Sequence, residues 1–138
     1  MFLFLDFTTD MSLTLIGRHF FLSKKIKSNK NISEILVIEI KKFFNKAKIN
    51  TKKLDTIFVI TGPGSFTGIR SALTFAKTIQ LTNNTDVRGI SKFEHLNLIA
   101  NDKNLLDLRT ILIFHRRKQF FTQRFRGNTS ISKPEILD

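Results

Sequence analysis

A stretch of nine residues, 62–70, carries the most chemical information in the sequence, and it reads GPGSFTGIR. Gly62 and Gly64 permit backbone angles that are closed to other residues, and Pro63 stiffens the turn between them. Ser65 or Thr67 can cap a helix that starts here. The first turn of a helix offers unpaired N–H groups and the positive end of a dipole, so the segment could hold an anion. The alternative is a tight strand-to-helix link with nothing bound.

The same segment lacks the spacing of two common nucleotide-binding motifs. A Walker loop requires Gly-x-x-x-x-Gly-Lys-Ser/Thr, whereas Arg70 and Ser71 have no glycine directly before them. The dinucleotide fingerprint has two residues between its second and third glycines, whereas three residues separate Gly64 from Gly68. The segment therefore matches neither motif.

The sequence shows no pattern of a catalytic or metal centre. His19, His95 and His115 lie far apart, and none belongs to a His-x-x-x-His or His-Glu-x-x-His pair. Ser65 has no evident His–Asp support, so nucleophilic catalysis is not predicted. Asp6 ends the first predicted strand, where it could join a metal or phosphate site, and a capping or loop role is the alternative. We predict no catalytic residue and no bound metal.

Apolar and β-branched runs predict seven strands, at residues 2–7, 12–17, 19–25, 56–61, 86–90, 110–114 and 120–125. Gly17 and Arg18 separate the second run from the third, and a Gly-first two-residue link predicts a type II′ hairpin turn. The run 56–61 is continuously apolar, which is typical of a strand covered on both faces. A polar tail containing Pro134 follows the last run.

Three segments have the period of amphipathic helices. Asn31 and Glu34 form a predicted capping box for the first, whose apolar positions are Ile32, Ile35, Leu36, Ile40, Phe43, Phe44 and Ala47. The second follows the glycine segment and carries on one side Phe66, Ile69, Ala72, Leu73, Ala76 and Ile79. The third extends from Ser91 to about Ala100, with Ser91 and Glu94 as its capping box.

The predicted order is thus β-β-β-α-β-α-β-α. Three meandering strands followed by βα units predict an α/β fold with a mixed sheet and helices packed on it, as in ribonuclease H-like and actin-like proteins. We expect residues 1–108 to form one nearly complete subdomain. Residues 109–138 are expected to begin a second, similar subdomain that is largely missing.

Composition narrows the class of protein further. The chain has 138 residues, of which 41% are hydrophobic, and no cysteine, so disulfides and thiolate zinc sites are excluded and a cytoplasmic location is expected. The sequence has no run of about 18 apolar residues, so no membrane span is predicted. The net charge of +12 could attract a polyanion such as tRNA, although lysine-rich tracts also occur as compositional bias on a solvated surface.

The glycine segment closely resembles the signature of the TsaB (YeaZ) family over nine contiguous residues, and the motif positions are Gly62, Pro63, Gly64, Ser65, Phe66, Thr67, Gly68 and Arg70. Its surroundings agree: residues 6–9, DFTT, resemble the family's opening, TIFVIT precedes the motif, and VRGISKFEHL resembles the strand and helix that follow. The resemblance covers roughly residues 1–126, and the chain is shorter than is usual for the family.

This resemblance implies an actin-like fold and a non-catalytic role in making threonylcarbamoyladenosine in tRNA. The implied partners are the catalytic TsaD subunit and the TsaE ATPase, and tRNA is reached indirectly through the complex. The chain is expected to bind no cofactor of its own, whereas the partner subunits use ATP and magnesium.

The resemblance implies that the helices after Ser28 and after Ser65 contact TsaD. The candidate contact residues are Leu36, Ile40, Phe43, Ser71, Phe75 and Thr78. An apolar helical face without its partner could also form a homodimer. Two alternatives remain at this stage. One is a nucleotide- or anion-binding module that uses Asp6, Gly64 and Ser65, and the other is a degenerate, truncated homologue.

Overall fold

A computed structural model describes residues 1–27, 32–102, 107–115 and 119–137. The contacts divide the chain into two compact units, Met1–Ile90 and Ser91–Asp138. This division differs from the predicted subdomain boundary after residue 108, which stays a prediction. The predicted cap residue Asn31 lies outside the described residues.

A five-stranded mixed sheet forms the base of the first unit. Its strands are β1 (Phe2–Asp6), β2 (Met11–Gly17), β3 (Phe20–Ile26), β4 (Thr56–Ile60) and β5 (Asp86–Ile90). They lie in the order β3-β2-β1-β4-β5. Strand β2 is antiparallel to both of its neighbours, β1 and β3, whereas β4 is parallel to β1 and to β5. The predicted mixed sheet, with a meander followed by βα units, is confirmed.

The core of this unit follows from the alternation of its strands. Every second side chain in β1 and β2 is fully buried: Leu3, Leu5, Met11, Leu13 and Leu15. Each buried leucine contributes about 1.5–3 kcal/mol relative to an exposed one. Helix α1 (Ile32–Ala47) adds Leu36, Ile40, Phe43 and Phe44 to the same cluster, as its helical period predicts.

The turn between β2 and β3 differs from the prediction. Gly17 pairs with Phe20 in the ladder, so the two-residue link is Arg18–His19. Among the described residues, positive φ angles occur only at Lys48, Gly62, Asn84 and Gly127. A type II′ turn requires a positive φ at its first link residue, which here is Arg18. The predicted II′ turn is therefore wrong, because the glycine lies inside the strand rather than in the link.

Helix α2 (Phe66–Asn83) packs more closely than its large apolar residues predict. Its buried residues are Gly68, Ala72 and Ala76, which recur every fourth position. Such small side chains let the helix backbone approach its neighbours. Phe66, placed by the sequence on the apolar side, is instead 72% exposed and lies under the Arg70 guanidinium at 5.3 Å. That prediction is wrong because the first residue of the helix projects away from the close seam.

The second unit combines α3 (Lys92–Asp102) with a four-stranded antiparallel sheet. The strands are β6 (Leu108–Phe114), β7 (Phe120–Arg126), β8 (Thr129–Ser130) and β9 (Glu135–Leu137). The capping box of α3 is confirmed, since Glu94 N donates to Ser91 Oγ at 3.1 Å and Ser91 N donates to Glu94 Oε2 at 3.0 Å. The short strands β8 and β9 lie in the polar tail, where the sequence analysis placed no strand.

Candidate functional site

The glycine loop lies against the end of β1. Ser65 N donates to the Thr8 carbonyl oxygen at 2.7 Å. A Cβ atom added to Gly64 would lie 2.4 Å from Thr8 Cβ, and one added to Gly68 would lie 2.1 Å from the Phe7 carbonyl oxygen. No real Cβ tolerates such distances, so the loop and the start of the helix that follows it require glycine at these two positions in order to contact the backbone just after β1.

The start of α2 is capped by the residue that the sequence singled out. The Ser65 hydroxyl accepts a hydrogen bond from Gly68 N at 3.2 Å, and Ile69 N donates to the Ser65 carbonyl. Gly62 has a φ of +104°, a conformation that favours glycine, and the Gly62–Pro63 peptide is cis. Of the two predicted caps, Ser65 fills the role, whereas Thr67 is exposed.

Asp6 stabilises the turn that this loop contacts. Its Oδ1 accepts hydrogen bonds from Thr8 N at 3.1 Å and from Thr8 Oγ1 at 2.6 Å. Thr8 therefore links Asp6 to the glycine loop, since its carbonyl accepts from Ser65 and its side chain meets the Gly64 position. This is the loop role that the sequence left open for Asp6. Anion binding by Asp6, Gly64 and Ser65 stays a prediction.

A partly open cavity of about 370 Å³ lies beside the glycine loop, between α1 and α2. Leu36 contributes from α1, and Thr67, Arg70, Ser71 and Thr74 contribute from α2. Ser71 and Leu36 are two of the predicted partner-contact residues. The sequence missed Thr67, Arg70 and Thr74 as lining residues, although their spacing of three and four places them on one helical face.

The structure separates the six predicted contact residues. Leu36, Ile40 and Phe43 lie in the chain's own core with 8%, 4% and 1% exposure, so Ile40 and Phe43 are not available to a partner in this conformation. Phe75 is half-buried against the same core.

Ser71 is half-buried, and Thr78 is exposed, with its hydroxyl donating to the Thr74 carbonyl. Two apolar residues of α1 that the sequence did not single out, Val37 and Ile38, are 60% and 55% exposed. The accessible apolar part of α1 therefore differs from the predicted one.

The comparisons with known proteins come from sequence and from structure. The family model described as "TsaD: tRNA N6-adenosine threonylcarbamoyltransferase" matches residues 23–124, which is more than half of the chain. The "tRNA threonylcarbamoyladenosine biosynthesis protein TsaB" of Bacillus subtilis strain 168 is 27% identical over 109 residues, or 79% of this chain. The chain belongs to this family, as a member of its TsaB (YeaZ) group.

Two solved structures agree with the fold. YeaZ from Pseudomonas aeruginosa matches 99% of the chain with a TM-score of 0.81 at 18% identity, and a second structure, described as similar to peptidase YeaZ from the same organism, has a TM-score of 0.82. The actin-like fold class is thereby confirmed. The chain spans 47% of the Bacillus protein and 66% of the first YeaZ chain, about half to two thirds of its relatives.

The residues of the family motif have separate physical roles in the structure. Gly64 and Gly68 permit contact with β1, Ser65 caps α2, and Arg70 and Thr67 line the cavity between the helices. The Arg70 guanidinium lies over the exposed ring of Phe66. In this TsaB-type chain the motif thus connects the end of β1 to the start of α2 and supplies residues that line one side of the cavity.

Electrostatics beside the helices centre on Glu39 of α1. Hydrogen bonds from Lys24 and then Lys42 lower the pKa of Glu39 below its ordinary value, against a smaller opposing effect of burial. The pair with Lys24 thus links α1 to β3, whereas the pair with Lys42 lies within α1. The described ranges contain no group of three or more His, Cys, Asp or Glu side chains that could hold a metal ion, and no helix long and apolar enough to cross a membrane.

Proposed function

We propose that this protein is a non-catalytic subunit in the biosynthesis of tRNA threonylcarbamoyladenosine and that it binds a TsaD-type catalytic subunit. Membership of the TsaB group supports the pathway, and the Bacillus subtilis relative is named for that biosynthesis. The observation that carries the partner-binding part is the cavity between α1 and α2 with the glycine motif as its wall. A TsaE-type ATPase, indirect contact with tRNA and a cytoplasmic location belong to the same proposal.

The chemistry of the helical face fits a partner helix. Thr67, Ser71 and Thr74 present short side chains on one side of α2, and short side chains allow two helix backbones to approach within about 8–10 Å. Arg70 places a cation at the rim, which favours an acidic group on the partner.

The binding test uses the full chain co-expressed with the cognate TsaD-type subunit. Ser71→Arg and Thr74→Arg place a long cation in the cavity and are expected to weaken association by roughly a hundredfold, by filling the space that a partner would occupy. Thr129→Arg makes the same change at an exposed threonine of the second unit and is expected to have no effect.

Co-purification measures the association of each variant with the TsaD-type subunit, and circular dichroism checks that each variant is folded. If the folded parent does not associate with the TsaD-type subunit, or if both cavity variants associate as well as the parent, the partner-binding proposal is wrong. Threonylcarbamoyl transfer to tRNA by the chain alone would overturn the non-catalytic part, and the expected result is product only when the catalytic subunit is added.

Nucleotide binding is tested separately by calorimetry with ATP and ADP. Gly64→Val cannot report on it, because a side chain at residue 64 would collide with Thr8 and disturb the fold. Thr67→Ala is the better variant, since Thr67 is exposed at the first turn of α2. Saturable binding that Thr67→Ala weakens would favour the anion-binding module over the scaffold.

A further inference from the structure

Five lysines form a basic surface at the end of α1 in the first unit. They are Lys41 and Lys46 of α1, Lys48 directly after it, and Lys52 and Lys53 of the short 3₁₀ helix Thr51–Lys53. All five side chains are exposed. The segment 40–54 contains no aspartate and no glutamate, so no negative side chain of the segment interrupts this charge. These five residues are called the lysine surface below.

The backbone keeps the two parts of the lysine surface close together. Lys48 has a φ of +55°, a left-handed conformation that ends α1 and turns the chain. The Asn50 side chain then accepts a hydrogen bond from Lys52 N at 2.9 Å, which caps the 3₁₀ helix. Asn83 Nδ2 of α2 donates to Thr51 Oγ1 at 3.3 Å, so the 3₁₀ helix also contacts the end of α2. Four residues of chain span at most about 14 Å, so Lys52 lies near Lys48.

The five ammonium groups of the lysine surface make no ion pair within the described residues. The two acids that border the segment pair with other cations. Glu39 accepts from Lys24 and Lys42, and Asp55 accepts from the N-terminal ammonium group of Met1. The acids nearest in sequence therefore do not neutralise this surface.

Helix stability explains only part of the lysine surface. The dipole of a helix favours cations within its last turn, which applies to Lys46 and Lys48. Lys41 lies before that turn, and Lys52 and Lys53 follow the end of α1. Like charges at this spacing repel one another, and a bound polyanion replaces that repulsion by attraction.

The composition of the lysine surface favours a nucleic acid over an anionic membrane. A segment that binds a membrane surface combines basic residues with large apolar side chains that enter the lipid. No exposed large hydrophobic residue lies between positions 39 and 65, all of which the structure describes. The nearest ones, Val37 and Ile38, lie about one helical turn before Lys41, at the border of the surface. Contacts to phosphate groups require the cations alone.

We infer that the lysine surface binds the phosphate backbone of RNA, and that in the proposed pathway this RNA is the tRNA substrate. The inference goes beyond the indirect contact with tRNA given above, because here the chain itself holds the tRNA. It rests on the proposed function only for the identity of the RNA. Lysine contacts to phosphate position a nucleic acid without reading its bases, so this surface adds affinity and orientation rather than sequence selection.

Fluorescence anisotropy of a labelled tRNA transcript, titrated with the full chain, tests the inference. Saturable binding is expected at about 50 mM salt. The logarithm of the binding constant should fall with the logarithm of the salt concentration with a slope of roughly −3.5 to −4.5, which is −0.7 to −0.9 for each lysine. The combined variant Lys46→Gln, Lys48→Gln and Lys52→Gln is expected to bind at least about tenfold more weakly and to reduce the size of the slope by about 2 to 3.

The matched control removes three cations elsewhere. Lys25→Gln, Lys27→Gln and Lys133→Gln change exposed lysines outside the lysine surface and give the same net charge as the first combined variant. The control is expected to change the affinity for tRNA less than about threefold, since it acts only through the general field of the protein. Circular dichroism checks that both combined variants are folded.

Three results would overturn the inference. One is the absence of saturable binding at about 0.1 mM protein, the weak end of sequence-independent affinities. Another is equal weakening by both combined variants, which would assign the binding to the net charge of +12. The third is binding to phosphatidylglycerol vesicles that the lysine-surface variant loses while its affinity for tRNA stays that of the parent.

Co-purification with the TsaD-type subunit separates this inference from the proposed function. The lysine-surface variant is expected to associate with that subunit as the parent does, because none of its substituted residues lines the cavity between α1 and α2. A parent chain that associates with the TsaD-type subunit but does not bind tRNA would overturn the inference and leave the proposed function in place.

Discussion

Both units pack helical segments on a sheet, but they differ in how many strands flank the first strand and in the size of the apolar core. In the first unit β1 has a strand on each side, and α1 and α2 cover one face with a continuous apolar core. In the described part of the second unit, β6 has a strand on one side only, and Phe93 and Phe125 are the fully buried apolar side chains. The first unit thus has the larger apolar core, whereas the described part of the second unit has few fully buried apolar side chains.

Buried polar contacts add to the small apolar core of the second unit. Arg109 is 8% exposed, and it donates through Nε to Asn97 Oδ1 at 3.0 Å and through a terminal nitrogen to the Gly127 carbonyl at 2.6 Å. Asn97 Nδ2 donates to the same carbonyl at 2.9 Å. Such bonds contribute directionality but about 0.5–1.5 kcal/mol each when neutral, and roughly 1.5–3 kcal/mol when charged. We infer that the first unit supplies most of the stability.

The largest expected effect breaks the first unit at the glycine motif. Gly68→Ala would place a Cβ atom 2.1 Å from the Phe7 carbonyl oxygen, so α2 must move away from β1. We expect a loss of about 4 kcal/mol in the free energy of unfolding. Urea denaturation followed by circular dichroism measures it. The matched control is Gly17→Ala, whose nearest neighbour would be at 3.5 Å, and equal stability of the two variants would contradict the proposed close contact.

A second substitution separates the two units. Phe125 is 1% exposed, and Phe125→Ala is expected to destabilise the second unit by about 3 kcal/mol through the lost burial and the cavity that remains. Hydrogen exchange should accelerate at β6 and β7 while β1 and β4 keep their protection. Phe114→Ala, at a ring that is 69% exposed, should change neither region. Equal acceleration in both sheets would show that the units unfold together.

The sequence was sufficient for the elements of the fold but not for their contacts. Alternation in β1 and β2 and the helical period in α1 correspond to real buried faces, because each pattern is local. The role of Gly64 and Gly68 could not be predicted in this way. It depends on β1 lying beside β4, which brings residues 7 and 8 against a loop more than fifty positions away.

Two of the six predicted contact residues, Ile40 and Phe43, lie in the chain's own core for a related reason. A helical period finds an apolar face but does not say whether that face meets the chain's own sheet or a partner, and Ile40 and Phe43 meet the sheet. Phe66 failed because the close seam of α2 selects Gly68, Ala72 and Ala76, whereas hydrophobicity ranks the phenylalanine first. The strands β8 and β9 have only two and three residues, too few to show an alternating pattern.

A smaller effect tests whether the start of α3 depends on its capping box. Ser91→Ala removes the acceptor for Glu94 N and is expected to cost about 1 kcal/mol of stability in the second unit. Glu94→Gln keeps an acceptor for Ser91 N and is expected to cost less, because glutamine also completes a capping box. Thermal unfolding of both variants makes the comparison. A larger loss in Glu94→Gln would show that the charge of Glu94, rather than the reciprocal hydrogen bonds, stabilises the helix start.

The smallest effect concerns the two ion pairs of Glu39 in the first unit, one to Lys24 of β3 and one to Lys42 within α1. Because Lys24 and Lys42 lower the pKa of Glu39 in the folded chain, the carboxylate contributes stability above its ordinary pKa of 4.5, and that contribution is lost as the pH falls through the lowered value. It should stay below about 1 kcal/mol, since the lysines are solvated. Carbon-detected NMR titration should show the pKa of Glu39 rising more in Lys24→Met than in Lys42→Met, because the Lys24 hydrogen bond has the larger effect. Lys25→Met, which removes the ion pair with Asp10 instead, should leave the pKa of Glu39 unchanged, and a rise there would assign the shift to the general field of β3 rather than to the two direct contacts.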